Sequence, residues 1–399
     1  MAATQQAPYV VPGSRAHSDG AFVPVQTRSE RPTSYDPADF DAPSGREVNW
    51  KHTPIARLAA LWTAHDDTRG VGVSIEGADS IAVGGLGVGD WPRGDVFTPE
   101  DLPAALAWTR TQTALHLRVP QDAAVDEPVV VTLTGAGAER VAYQHIVVEA
   151  MPHSKATVIL AHELSAQYAQ NVEVVVRDGA ALTVVTVQQW EDDAVHAASH
   201  QARVDRDGYL RHIVVSFGGG VVRVNPSIEL AGPGSSAEVY GLAYADAGQH
   251  LESQVYVHHK GPHTRGDVLY KGALQGEGAR TVWIGDVLIG PDAVGTDSYE
   301  ANRNLVLTEG ARADSVPNLE IETGDIVGAG HASATGRFDD EQLFYLQARG
   351  IPEDEARRLV VLGFLSEIVQ KIGVPALEQE LIAEIETELA TTGERGTTA

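Results

Sequence analysis

The chain has 399 residues, of which 29 are Lys or Arg and 55 are Asp or Glu, so its formal net charge is −26. This charge argues against nucleic-acid binding, because contacts to phosphate groups require a positive patch. The chain contains no cysteine, which excludes disulfides, thiolate nucleophiles and thiolate metal ligands from this polypeptide.

The N-terminal part of the chain is predicted to contain a tail and a mixed region. Residues 1–45 are rich in Pro, Ser and Gly without sustained periodicity, which predicts a flexible tail. Residues 46–112 form the mixed, partly helical region, with a short helix over 52–62 that has Thr53 as its N-cap. A second helix is expected to open at Pro99 to Asp101 and to run through residue 108.

No targeting segment or membrane span is expected. The N-terminal sequence lacks a basic start followed by an apolar run, and nowhere do about eighteen apolar residues follow one another. The default expectation for the location is therefore the cytoplasm.

Residues 113–336 are short Val-, Ile- and Leu-rich runs separated by Gly, Asp, Asn and Pro, a texture that predicts strands. Parallel strands normally require crossover helices, so a series of strands alone predicts an antiparallel sandwich or barrel, or a solenoid. Small-residue turns near Gly179, Gly208, Gly278 and Gly310 recur at irregular multiples of about one solenoid coil. This recurrence favours a parallel β-helix, with a sandwich as the alternative.

Residues 337–399 carry strong helical signals and are predicted to form a C-terminal helical domain. Asp339 is expected to cap a first helix that ends at Gly350. A second helix has Pro352 in its first turn and ends before Gly373, and a third runs from Leu377 to Leu389.

Two short motifs in the chain are predicted to have no catalytic role. The segment GGLGVGDW at 84–91 lacks both phosphate-binding glycine patterns and predicts a flexible turn. His196 and His200 are four residues apart, but no Glu follows the first His as in zinc proteases, so both are expected at the surface. No nucleophile elbow and no distinct pair of carboxylates is present, so the sequence does not require an enzyme.

Two other histidine positions are candidates for metal binding. His258, His259 and His263 are expected close together in a loop at a strand end, where neutral imidazoles could bind a borderline metal ion. His331 lies among Gly and Ala residues that would allow close approach of a backbone or a partner. For both positions, an ordinary hydrogen-bonded histidine is the simpler interpretation.

Several ordered motifs resemble the SufB/SufD family of iron–sulfur cluster assembly proteins. The match is strong over about 250–370 and weaker at 44–58, where SGREVNWKHTPIARL is similar to the family's N-terminal motif. The motifs in the strong region are HKGPHT at 259–264, YKG at 270–272, NRNL at 302–305, PNLEI at 317–321 and FDDEQLFYLQARGI at 338–351.

The resemblance implies a mainly β fold, a right-handed parallel β-helix between N-terminal and C-terminal helical segments. It also implies a SufB-like paralogue as partner, an ABC-type ATPase (SufC) bound by the C-terminal helices, and a nascent cluster or iron held transiently by the complex. No stable cofactor is expected in the isolated chain, which could instead form a homodimer.

Within this resemblance, Ala311, the LEI form at 319–321 and the ATG at 334–336 indicate the SufD type. Ala311 stands where SufB-like scaffolds carry a cysteine. The Cys-Ser-His-Gly segment of SufD proteins reads Ala-Gly-His-Ala at 329–332, so His331 is kept without its neighbouring thiol. A metal role for His331 would then require ligands from the partner, and His259 is a weaker candidate.

The expected function is thus that of a noncatalytic SufD-like scaffold subunit. The candidate partner-binding residues on the C-terminal helices are Phe344, Leu346, Leu359 and Phe364. Two alternatives are a β-helix enzyme that acts on carbohydrate and an independent carrier of iron bound by histidine.

Overall fold

The computed structural model describes residues 28, 31–63, 71–337 and 340–395. Most of the described residues belong to a β-solenoid of about eight turns, with helices at its N- and C-terminal ends. The strands are β1 (Gly72–Glu76), β2 (Ala82–Gly87), β3 (Thr113–Val119), β4 (Val129–Thr134), β5 (Val141–Ala150), β6 (Lys155–Leu164), β7 (Gln167–Val176), β8 (Ala181–Trp190), β9 (Val195–Val204), β10 (Tyr209–Ser216), β11 (Val221–Leu230), β12 (Ser236–Ala245), β13 (His250–His259), β14 (Arg265–Leu274), β15 (Arg280–Ile289), β16 (Thr296–Val306), β17 (Arg312–Ile321) and β18 (Ile326–Arg337). The α-helices are α1 (Ile55–Leu58), α2 (Leu102–Arg110), α3 (Asp340–Gln347), α4 (Glu353–Val369) and α5 (Pro375–Arg395).

The strands form two nine-stranded sheets that share the coils of the solenoid. Sheet A contains β1 and the even-numbered strands from β4 to β18, and sheet B contains β2 and the odd-numbered strands from β3 to β17. Successive coils are 26 to 32 residues apart, as the pairings of Lys155 with Ala181 and of Arg265 with Asp297 show. The parallel β-helix is confirmed and the sandwich is excluded.

The two ends of the solenoid differ in strand direction. At the first end, β1 pairs antiparallel with β4, and β2 pairs antiparallel with β3. At the last end, β17 and β18 continue the parallel pairing of their sheets. Within the described part of the chain, no further strand pairs with β17 or β18, so the last coil is open.

Alternation along each strand separates the solenoid interior from its outer faces. In β8, Leu182 and Val184 point into the interior core, whereas Val185 and Val187 pack under the C-terminal helices. Because successive side chains of a strand point to opposite faces, a strand buried on both faces is apolar at nearly every position. This explains the continuous Val-rich runs of the sequence.

One corner of the solenoid is built from a column of residues in the left-handed backbone conformation. Each donates its backbone N–H to a carbonyl of the next coil, which links the coils outside the sheets. A Cβ at Gly179 would lie 2.5 Å from Nδ1 of His153 in the preceding coil, so glycine is required there. The column consists of Asp122, His153, Gly179, Asp207, Gly234, His263 and Gly295.

The segment between residues 46 and 63 is fastened to the outer face of sheet B by buried polar groups. Thr53 Oγ1 donates to Glu252 at 2.8 Å, and Arg223 Nε donates to the same carboxylate at 3.1 Å. The predicted N-cap role of Thr53 is wrong, because Pro54 precedes α1 and no side chain caps it. Instead, the hydroxyl group of Thr53 donates its hydrogen bond to Glu252 of the solenoid.

The predicted second helix is confirmed as α2, which also covers sheet B. Asp101 is its N-cap and accepts the backbone N–H of Ala104 at 3.0 Å. In the loop before α2, the backbone N–H groups of Gly94 and Val96 donate to the carboxylate of Glu173 in β7, at 2.8 and 2.7 Å. Buried side chains of the solenoid therefore hold the backbone of the preceding loop.

Helices α4 and α5 cover the outer face of sheet A. Lys271 Nζ donates to the carbonyl oxygen of Phe364 and lies close to Glu367, each at 2.6 Å. The left-handed Gly373 separates α4 from α5 as predicted, and Gly350 likewise follows α3. The predicted cap Asp339 lies outside the described residues.

No helix in the described ranges is long and apolar enough to cross a membrane.

Candidate functional site

The candidate site lies in the open last coil, where His331 is exposed on β18. In that coil the two sheets still face one another, since Ser333 Oγ donates to Ser315 Oγ at 2.8 Å. A cleft of about 620 Å³ borders this end and is lined by His331 together with Leu319 and Asn318 of β17, Asp286 of β15 and Arg28. His331, the predicted metal ligand, is thus accessible at the end of the solenoid where another chain could pair.

Glu300 is the neighbour of His331 in the register of sheet A. The same interior position holds Val184, His212, Val239 and Val268 in earlier coils, so the carboxyl group lies in a mostly apolar column and directly follows two valines. Glu300 is fully buried, and neither of its carboxylate oxygens has a hydrogen-bond partner. Burial, and secondarily the negative charge of Asp286, raises the pKa of Glu300 to about 8.

The sequence did not single out Glu300, because alternation along a strand does not say which of its two sets of side chains faces inward. The signal that could have found it is the alignment of β16 with the coils before it. That alignment places Glu300 level with Val268 and Val239, which are both core positions.

The other predicted metal-binding histidines do not converge. His258 and His259 are adjacent in β13 and point to opposite faces, whereas His263 occupies the corner column. His259 is buried, with Nδ1 2.8 Å from Thr264 Oγ1 and Nε2 3.0 Å from Ser298 Oγ. A metal role for His259 would require that one of these hydrogen bonds be replaced by a metal ion inside the solenoid.

Among the described residues, no group of three or more His, Asp or Glu side chains is arranged to hold a metal ion. His331 could therefore serve only as part of a site that other groups complete.

The prediction that His196 and His200 lie at the surface is wrong. Both are interior residues of β9, with 0% and 2% of their surface exposed. His196 Nδ1 lies 2.8 Å from Gln188 Oε1, and His200 Nδ1 lies 2.9 Å from His212 Nε2. Polar residues are accommodated in this interior because the opposite sheet supplies hydrogen-bond partners.

The candidate partner-binding residues divide into two classes. Phe344 of α3 is 72% exposed and Leu359 of α4 is 42% exposed. Leu346 and Phe364 are half-buried, and Phe364 packs against the cluster that joins α4 to sheet A. Tyr345, which the sequence analysis did not single out, is 55% exposed and extends the apolar surface around Phe344. Exposed large apolar side chains of this kind occur at docking sites.

The acidic groups on the outer face of sheet B are engaged in structural contacts. Glu149 is 2.8 Å from Arg177 Nη2, and Glu173 and Glu252 hold the N-terminal region as described above. The segment 84–91 was predicted to be a turn, but its first half, residues 84–87, belongs to β2 and pairs with β3, and the turn begins only at residue 88.

These features define a β-solenoid protein with an open last coil and helices covering its outer faces. A family model described as SUF system FeS cluster assembly, SufBD core domain, matches residues 132–364, which is more than half of the chain. The chain therefore belongs to the SufBD family of iron–sulfur cluster assembly proteins.

Similar proteins occur in mycobacteria. An iron-sulfur cluster assembly SufBD family protein of Mycobacterium tuberculosis (strain H37Rv) is 48% identical over 391 residues, 96% of this chain and 97% of the relative. A protein of the same description from Mycobacterium leprae is 46% identical over 386 residues, 95% of this chain and 98% of the relative. A second SufBD family protein of the same M. tuberculosis strain is 28% identical over 218 residues, 54% of this chain and 26% of that protein.

Proposed function

We propose that the chain is a noncatalytic SufD-like scaffold subunit of a cytoplasmic iron–sulfur cluster assembly complex. In this complex it pairs with a SufB-like paralogue and binds a SufC-like ABC-type ATPase. The observation that carries the proposal is the SufBD core match over 132–364, which falls on the solenoid and most of α4.

The lack of cysteine supports the assignment to the SufD type. A nascent cluster is held mainly by thiolate ligands, and this chain has no cysteine to offer. The cluster, which is cargo here, is held largely by the partner, and His331 is this chain's own contribution from the exposed end of the solenoid. No stable cofactor accompanies the isolated chain.

Pairing with a paralogue is supported by the open last coil. The outer edges of β17 and β18 offer backbone donors and acceptors, and a second solenoid can satisfy them by adding strands. The presence of two SufBD family proteins in one M. tuberculosis strain is consistent with a complex of two paralogues. Without the paralogue, the same edges favour a homodimer.

Binding of an ATPase is supported by the exposed apolar groups on α3 and α4. Large parts of the apolar side chains of Phe344, Tyr345 and Leu359 are exposed to solvent and are not used for packing within the chain. An amphipathic helix that lies in a groove of the partner would bury them.

The test is coexpression of the tagged chain with the SufB-like paralogue and the ATPase from the same organism. We expect all three to copurify, and the purified complex to assemble a cluster when iron, sulfide and ATP are supplied. A chain that stays a homodimer in the presence of both partners would refute the scaffold assignment. Iron that stays bound to the isolated chain throughout purification would favour the independent carrier instead.

A further inference from the structure

Glu300 is the one interior carboxyl group without a hydrogen-bond partner on either oxygen among the described residues. Burying a carboxyl group without donors lowers stability, and the other buried carboxylates avoid this cost by accepting several hydrogen bonds. Glu252, for example, accepts from Thr53, Arg223 and Gln254. The contrast indicates that Glu300 has a role other than stabilising the fold.

Sheet B leaves space for this carboxyl group. A Cβ at Gly285 would lie 2.4 Å from Glu300 Oε2, so any larger residue there would displace it. Gly285 pairs with Pro317 in the last coil, and proline has no backbone N–H to donate. The surroundings therefore admit the carboxyl group without offering it a hydrogen bond.

The last coil also places an imidazole beside Glu300. Glu300 and His331 are register partners on neighbouring parallel strands, which lie about 4.8 Å apart, and both side chains start from the interior face of sheet A. Because His331 is exposed at the open end, a cation can reach its imidazole from solvent, next to the buried carboxyl group of Glu300. A carboxylate oxygen and an imidazole nitrogen together suit a divalent cation of intermediate softness, such as ferrous iron.

We propose that Glu300 is a second metal ligand beside His331. This chain then offers a mixed oxygen and nitrogen site to iron that is on its way to a cluster. The proposal rests on the proposed function, because it names the cargo of the same open end. Two protein ligands leave coordination positions free for water or for groups of the partner. The site is thus suited to transient rather than permanent binding.

Ferrous iron itself is the probe, applied to the purified full chain under anaerobic conditions and followed by equilibrium dialysis. We expect Glu300→Gln and His331→Ala each to weaken iron binding roughly tenfold or more, since even outer partners of metal ligands contribute that much. X-ray absorption of the iron-loaded wild type should show only oxygen and nitrogen ligands. Glu300→Gln keeps the side-chain volume, and its unfolding transition shows whether the fold is retained.

Two matched substitutions serve as controls. Glu322→Gln removes an exposed carboxylate near the same end, and His258→Ala removes an imidazole that points to the outer face. Neither should change iron binding. Equal iron affinity in folded Glu300→Gln and wild type would overturn the ligand role of Glu300, as would loss of binding in the controls to the same extent. Such a result would leave the scaffold assignment intact, because that assignment depends on copurification with the paralogue and the ATPase.

Discussion

His200 and His212 form a hydrogen bond of 2.9 Å that joins sheet B to sheet A in the solenoid interior. Their remaining ring nitrogens, Nε2 of His200 and Nδ1 of His212, are buried and unpaired. Replacing only one of the two by leucine leaves the other without its partner, and we expect a loss of about 1–3 kcal/mol in unfolding free energy. The double variant His200→Leu/His212→Leu should lose much less than the sum of the two single losses. Urea denaturation of all four proteins measures this coupling, and strictly additive losses would contradict it.

Acid should destabilise the solenoid through its buried histidines. Burial lowers the pKa of both His162 and His212 to about 4, well below the ordinary value of 6.5. Between pH 6.5 and 4 the unfolded chain therefore binds protons that the folded chain does not bind, and stability falls as the pH drops. Each such histidine should contribute up to about 1.4 kcal/mol per pH unit in this window. Chemical denaturation from pH 7.5 to 4 should show a shallower decline in the His200→Leu/His212→Leu variant.

Glu300 should have the opposite effect on the pH dependence of stability, because it makes the folded chain less stable as the pH rises. Its pKa is raised to about 8, so the folded chain retains a proton that the unfolded chain releases above the ordinary value of 4.5. Its contribution to stability is present below pH 4.5 and is lost as the pH rises to about 8. In metal-free buffer, Glu300→Gln should therefore gain stability relative to wild type as the pH increases from 5 to 8. A difference that is constant with pH would show that Glu300 does not titrate in this range.

The buried contact between Arg223 and Glu252 should anchor the N-terminal region. Burial alone would raise the pKa of Glu252, but hydrogen bonding from His250 and the charge of Arg223 lower this pKa to about 2. Glu252 is therefore a carboxylate at neutral pH. Glu252→Gln removes the charge that compensates Arg223, and we expect a loss of about 3 kcal/mol. Glu229→Gln breaks the exposed contact to Lys260 and should cost about 0–1 kcal/mol. Thermal unfolding compares the two, and equal losses would argue against this anchor.

The exposed and buried apolar residues of the C-terminal helices should behave differently. Phe344→Ala and Leu359→Ala should leave the unfolding transition nearly unchanged while they reduce copurification of the ATPase. Val361→Ala, at a fully buried position, should instead cost about 2 kcal/mol. Unchanged ATPase binding in the Phe344→Ala/Leu359→Ala double variant would remove this surface from the proposed interface.

Local patterns in the sequence were sufficient to predict the strands and the C-terminal helices, because a strand buried on both faces and a capped amphipathic helix each leave one. The solenoid was favoured over a sandwich only by the recurring turns and by the family resemblance. The burial of the histidines in β9 was missed because its sequence VHAASHQARV is too polar to suggest a buried strand. Its histidines are acceptable inside only because Gln188 and His212 on other strands provide partners. Such long-range partners cannot be inferred from local composition.

The candidate site was predicted only in part, for a similar reason. His331 was identified through its small neighbours and the resemblance, and both are properties of the sequence near it. Glu300 is thirty-one positions earlier in the chain and becomes its neighbour only through the register of the coils. That register depends on the lengths of the intervening turns, which vary from coil to coil.

The reversed strands at the beginning of the solenoid bear on how large an assembly can become. If both termini of the coil were parallel and exposed, copies could stack one upon another into a filament. Here β1 and β2 run against their neighbours, so the first terminus does not match the last one. In the proposed pairing, contact through the last coils would occupy the open edges of β17 and β18 in both molecules at once, and such an assembly would close at two.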